Sequence, residues 1–251
     1  MRVLIRTSAI AIAALLFAGH AASAQTVDDI VAKNLQAKGG VEKLKSMNSV
    51  RITGTVEAQG MQMKMTTWAK RPNVFRREMQ LPAQGGGDAQ KIVNGYDGTT
   101  VWMINPLMGS GEVQELSGPA ADAAKGDADF DPVFLDYKAK GHTLELVGTE
   151  TLDGKKVHHL KLTKKNGQIQ QLYLDAETGL EVRSVATLEQ GGMKADITTD
   201  FSNYKNVEGR NTPFTLKQSM NGNPVAQVNI DSVEINVPID DALFKKPAAK
   251  D

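Results

Sequence analysis

Cysteine is absent from the chain. Its absence excludes disulfides, thiolate nucleophiles and cysteine-ligated zinc together. Neither sign of charge is in excess: 29 Lys and Arg stand against 29 Asp and Glu. A balanced chain carries no electrostatic footprint for nucleic acid, and no basic cluster that would hold it to anionic headgroups. No apolar run approaches the roughly 20 residues that span a bilayer, so stable membrane insertion is not expected. Catalytic motifs are missing too. Ser110 lies between Gly109 and Gly111, but no base stands beside it and no G-x-S-x-G is present. His158 and His159 are neighbours on an expected strand, so they point to opposite faces and cannot share a metal. Gly85–Gly86–Gly87 lacks the Lys-Ser/Thr pair of a phosphate loop and reads as a hairpin tip. Asp240–Asp241 reads as a turn cap. The expectation is a non-enzyme with no metal and no cofactor.

The N-terminus has the pattern of a secretory signal peptide. Arg2 and Arg6 are its charged region, Ile10 to Phe17 its short apolar core, and Ala22–Ser23–Ala24 its small-residue cleavage site. Residues 1–24 are expected to be removed, with no cysteine available for a lipid anchor. Residues 25–251 show no shift in composition and read as one domain. Losing the two arginines moves the balanced charge to about −2, and a soluble monomer is expected.

Hydrophobic periodicity then divides the chain. Val27, Ile30, Val31 and Leu35 fall on one helical face behind Thr26 as N-cap, and Gly39–Gly40 end that helix. A short turn carries Val41, Leu44 and Met47. From Ser49 the period becomes 2, and strands follow to Ile235, punctuated by turns such as Asp97–Gly98, Asp153–Gly154, Asn166–Gly167, Gly191–Gly192 and Asn221–Gly222. About ten or more short strands joined by hairpins imply a large antiparallel meander. The alternation stops between Ser117 and Gly141. There Asp131–Pro132 looks like an N-cap and N1 pair, and Phe130, Val133, Phe134 and Tyr137 at i, i+3, i+4 and i+7 predict an aromatic helix face. The fold expected is mainly β (α+β), a curled sheet whose concave face is covered by an N-terminal and a mid-chain helix.

Candidate contact residues are weighed against plainer roles. Met61, Met63 and Met65 alternate on one strand face. Such a stripe is more often core, although methionine also suits surfaces that accept variable apolar partners. Arg71 before Pro72, taken alone, reads as a solvated turn residue. The Phe130–Tyr137 stripe reads first as a core face.

Lys70–Arg71–Pro72–Asn73–Val74–Phe75, followed by Asp97–Gly98–Thr99–Thr100–Val101–Trp102 and Asn105–Pro106, resembles the LolA family of periplasmic lipoprotein carriers and its wider LolA/LolB-like superfamily. The resemblance covers most of the chain in order. It implies an incomplete antiparallel β-barrel with helices forming a lid over a hydrophobic cavity, and a periplasmic location. It implies that Arg71 hydrogen-bonds lid-helix carbonyls in the closed, empty form, and that Phe75 takes part in receiving cargo. Trp68, Met63, Met65, Trp102, Phe130 and Phe134 complete the candidate cavity or lid residues. The implied cargo is an acylated protein or another lipid, and the implied partners are an inner-membrane donor complex and an outer-membrane acceptor. The Gly39–Gly40 helix end, the strands after Asp196 and the stretch from Val237 to Phe244 look more like broader LolA-like proteins, which leaves the cargo open. The alternative is a noncatalytic envelope module that holds a protein partner with the same fold.

Overall fold

Thr26 sets the start of the first helix. Its hydroxyl accepts from the Asp29 amide at 3.2 Å, and the Asp29 carboxylate accepts from the Thr26 amide at 3.0 Å. These bonds satisfy two donors that a helix start otherwise leaves unpaired. In the computed structural model, which describes residues 25–83, 89–109, 111–190 and 193–248, this helix α1 (Val27–Ala37) is followed by a short α2 (Val41–Lys45). The expected signal peptide, the Gly85–Gly87 tip, Ser110 and the Gly191–Gly192 turn lie outside the described residues.

The remaining described elements are strands, with one further α-helix and two short 3-10 helices, Pro106–Met108 and Asp241–Phe244. They are β1 (Ser49–Ala58), β2 (Met61–Lys70), β3 (Val74–Gln80), β4 (Lys91–Tyr96), β5 (Val101–Ile104), β6 (Val113–Glu115), α3 (Gly118–Asp127), β7 (Thr143–Leu152), β8 (Lys155–Thr163), β9 (Ile169–Asp175), β10 (Glu181–Gln190), β11 (Met193–Val207), β12 (Arg210–Met220) and β13 (Asn223–Ile235). They form one 13-stranded sheet in the order β6-β5-β4-β3-β2-β1-β13-β12-β11-β10-β9-β8-β7. Every neighbouring pair is antiparallel, and every pair except β1 with β13 is consecutive in sequence. The chain thus meanders outward from β1 to β6, crosses to the far edge at β7, and meanders back until β13 closes against β1. This is a mainly β, open curled sheet, an incomplete barrel with helices.

Turn chemistry fixes the hairpins. Asp153 and Gly154 sit at φ of 49° and 79°, and Asn221 and Gly222 at 49° and 81°, the left-handed pair that a two-residue hairpin turn requires. Gln59–Gly60 and Glu208–Gly209 adopt the same geometry without an Asn or Asp to announce it. For that reason β11 and β12 extend beyond the limits that the alternation suggests.

The mid-chain helix is not where the aromatic spacing puts it. Helix α3 occupies the Ala- and Gly-rich stretch upstream, and residues 133–141 run as successive turns. Two local facts explain the difference. Asp136 lies at φ 54°, which interrupts a right-handed helix, and the Asp131 carboxylate is bound to Arg71 rather than capping the next turn.

Cross-strand register places α1 and α3 on the same, inner face of the sheet. At the β7 end, α1 contributes Ile30 and Val31 to a cluster with Phe134, Tyr137, Leu160, Leu162, Leu172 and Leu174. At the β6 end, Ala121 and Ala128 pack on Phe75, Tyr96 and Val101. A third cluster joins Val56, Met63, Met65 and Leu81. Between them, on β11–β13 and β1, Phe201, Leu216, Val228, Ile230 and Ile52 are only half-buried.

Candidate functional site

Arg71 follows the last residue of β2 and stands at the corner where the inner face meets the helices. The Arg71–Pro72 peptide is cis, and the Arg71 amide donates to the Asn48 carbonyl at 2.9 Å. The guanidinium then reaches two separate segments. Its Nε donates to the Met47 carbonyl at 2.6 Å and its Nη2 to the Leu44 carbonyl at 3.2 Å, at the end of α2, where helical carbonyls lack partners of their own. Its Nη1 and Nη2 also grip the Asp131 carboxylate at 3.1 and 2.5 Å. This is the two-pronged geometry that a planar guanidinium favours. The same group lies 5.0 Å above the centre of the Phe130 ring, a cation–π arrangement. Arg71 and Asp131 keep 27% and 19% of their side-chain surface exposed, so water screens the pair only in part.

The two segments differ in how firmly they are held. Helices α1 and α2 are pinned at several points: Asn34 Nδ2 to the Gly179 carbonyl at 2.8 Å, Asn211 Nδ2 to Ala37 at 2.8 Å, and Arg210 Nη2 to Lys43 at 2.7 Å. Lys38 and Glu181 add an ion pair at 2.5 Å. Among the described side chains, helix α3 rests on the sheet through Ala121 and Ala124, which bury little apolar area each. Downstream, Phe134 is rooted in the α1 cluster, and Tyr137 and Lys138 bond Asp28.

The remaining candidates separate into two groups. Phe75 is buried beneath α3, Met63 and Met65 lie in the neighbouring cluster on the same face, and Phe130 lies under Arg71. Phe134 is core, 1% exposed. The two tryptophans face the other way, which corrects their grouping with the cavity. Trp68 pairs across the sheet with Arg51 and Arg76 on the outer face and lines a cleft with Pro238 and Leu243. Trp102 is fully buried on that outer face, its Nε1 donating to the Phe244 carbonyl at 3.3 Å and Arg76 lying 5.4 Å over its ring. The C-terminal stretch Val237–Phe244 covers Trp102 and borders the cleft beside Trp68, so neither ring faces the inner side.

Asp131 is the residue that sequence reading missed. It was visible only as half of a capping pair, and nothing local links it to an arginine 60 positions away. Two larger clefts flank the structure. One of about 850 Å³ lies against α3 and carries Lys125, Lys140, His142, Lys164 and Lys165 with Asp129 and Asp131. The other, about 920 Å³, opens on the hairpin tips and the polar ladder Arg183, Asp200, Lys217, Gln227 and Glu57, away from Arg71. Burial holds the His142 imidazole below its ordinary pKa, and Lys140 and Lys164 reinforce the effect. Among the described residues, no group of three His, Asp or Glu side chains is arranged to hold a metal ion, and no helix is long and apolar enough to cross a membrane.

An open antiparallel half-barrel with helices on its inner face is a LolA-like fold. An outer-membrane lipoprotein carrier protein from Serratia proteamaculans (strain 568) is 24% identical over 197 residues, covering 74% of this chain and 83% of that protein. Among solved structures, a DUF1329 family protein from Desulfovibrio piger superposes with a TM-score of 0.60 at 13% identity, covering 88% of this chain and 98% of the other. A LolA superfamily protein from Nitrosomonas europaea gives 0.56 at 15% identity, covering 89% and 99%. No protein-family model matches the chain. The LolA-like fold is therefore shared with proteins whose sequences have diverged widely.

Proposed function

We propose that this protein is a noncatalytic periplasmic carrier that holds the acyl chains of a lipid or lipoprotein on the inner face of its sheet. One observation carries the reading. Helices fill the two ends of that face and leave its middle lined by half-exposed Phe201, Leu216, Val228, Ile230 and Ile52. Each methylene withdrawn from water contributes about 0.8 kcal/mol, so an apolar trough of this kind favours an acyl chain. Met63 and Met65 border it and adapt to variable chains.

A carrier must also let go. In this reading α3 and the stretch to Phe130 are the lid, and Arg71 is its latch. The guanidinium ties Asp131 and Phe130 to the carbonyls of a firmly pinned α2. Charge-assisted hydrogen bonds contribute roughly 1.5–3 kcal/mol each when desolvated and less when partly exposed. Cargo that lifts the lid must give up these bonds, so the closed state's stability subtracts from apparent affinity. Handover to an acceptor then runs downhill.

Binding of a fluorescent acyl probe to the mature chain tests this. Arg71→Leu should hold the probe about tenfold more tightly, the equivalent of about 1.4 kcal/mol, and release it more slowly to acceptor vesicles. Unchanged retention and release would remove Arg71 from the mechanism. A wild-type protein that binds no probe and co-purifies with no lipid would overturn the carrier reading in favour of a module for a protein partner.

A further inference from the structure

Strand β3 contains two adjacent arginines, and adjacent strand residues point to opposite faces. Arg76 is on the outer face and fully engaged. It donates to Glu78 at 2.9 Å and to the Leu243 carbonyl at 3.1 Å, and lies over Trp102. Arg77 is on the inner face and half-buried, and among the described residues its side chain has a single hydrogen bond, from Nε to the Thr67 hydroxyl at 3.2 Å. Among the described residues no carboxylate pairs with it. Across β1–β5, the register puts one formal charge on the inner face, and it is Arg77.

Its surroundings are specific. Thr67 and Asn94 flank it on β2 and β4, giving a narrow polar band across an apolar face. Phe75, Tyr96 and Ala69 lie on one side of that band, and Met65, Met79 and Ile92 on the other. A guanidinium drawn partly out of water without a counter-ion is unfavourable, yet the described residues supply none. From β3 the apolar track runs through β2 and β1 to β13, three inter-strand steps of about 4.8 Å each, into the half-exposed trough.

We infer that Arg77 anchors an anionic headgroup, so that the cargo is an acyl lipid bearing a carboxylate or phosphate. This rests on the carrier reading and narrows it. The two Nη groups have no hydrogen-bond partner among the described residues, and a planar guanidinium fork suits either anion. Thr67 is a positioning residue, holding Nε and leaving Nη1 and Nη2 to the ligand.

Matched probe pairs test the inference on the mature chain: a fluorescent long-chain fatty acid against its methyl ester, and a fluorescent phosphatidic acid against the corresponding diacylglycerol. Wild type should prefer at least one anionic member by about tenfold, and the pair that discriminates identifies the head. Arg77→Gln should abolish the preference while still binding the neutral probes, and Arg77→Lys should keep part of it. Thr67→Val should reduce the preference without touching the charge. Equal binding of anionic and neutral probes by wild type overturns the inference and leaves the carrier reading intact. Failure to bind any of the four overturns the carrier reading itself. Inorganic phosphate that competes as well as phosphatidic acid would mean an anion site with no lipid component, and would also overturn the inference.

Discussion

Asp131 converts Arg71 from a turn residue into a junction. Without the carboxylate the guanidinium would still meet the Leu44 and Met47 carbonyls, but nothing charged would tie it to the segment beyond α3. Asp131→Asn should therefore act in the same direction as Arg71→Leu on probe release, with a smaller effect. It should lower stability by about 1 kcal/mol, because a partly exposed pair is screened; urea unfolding at neutral pH measures this. A second residue-level expectation concerns acid. His158 is 7% exposed on the inner face, and burial holds its imidazole below the ordinary value of 6.5, with Lys156 and Lys33 adding to the effect. A depressed folded pKa means that the unfolded chain takes up the proton first. Stability is present above 6.5 and falls as pH drops through the lowered value. The melting temperature should decline across that window, and His158→Gln should flatten the decline.

Among the elements, β4 and β5 are joined by an unusually close contact. Gly95 pairs with Trp102, and a Cβ on Gly95 would fall 2.4 Å from the indole carbons. Gly95→Ala must displace a fully buried ring and should cost about 1–3 kcal/mol, read as a lowered melting temperature with altered tryptophan fluorescence. Elements of this kind differ in how much their sequences reveal. Strands such as β4, β8 and β9 were legible to the residue, because alternation and Asp-Gly or Asn-Gly turns act locally. Trp68 was grouped with Met63 and Met65 although an odd step from Met63 puts it on the opposite face, so there the local pattern held the answer and the grouping missed it. Trp102 was not legible, because its face depends on the registers of three intervening hairpins. The shift of the mid-chain helix was hidden for a different reason: aromatic spacing at 130–137 reports core contacts made by turns as well as it reports a helix. Asp131 and Arg77 owe their significance to what lies across the sheet, which no local pattern encodes.

For the molecule as a whole, the decisive feature is the β1–β13 seam. Val50 pairs with Ile235, and Ala58 with Ala226, so the first and last strands form the middle of the sheet. A chain stopped after Gly222 should lose cooperative folding altogether, since it lacks a central strand rather than an edge one; far-UV circular dichroism and denaturant titration would detect that loss. Pairing so remote in sequence also predicts slow refolding, measurable by stopped flow against an all-local meander of similar size.

The seam also imposes an order on biosynthesis. A chain that emerges N-terminus first delivers β1 long before its partner β13. Throughout that interval one long side of β1 has unpaired amides and carbonyls, a template for the wrong strand. The native seam closes only once β13 has been delivered, so the β1 edge stays open to mispairing until then.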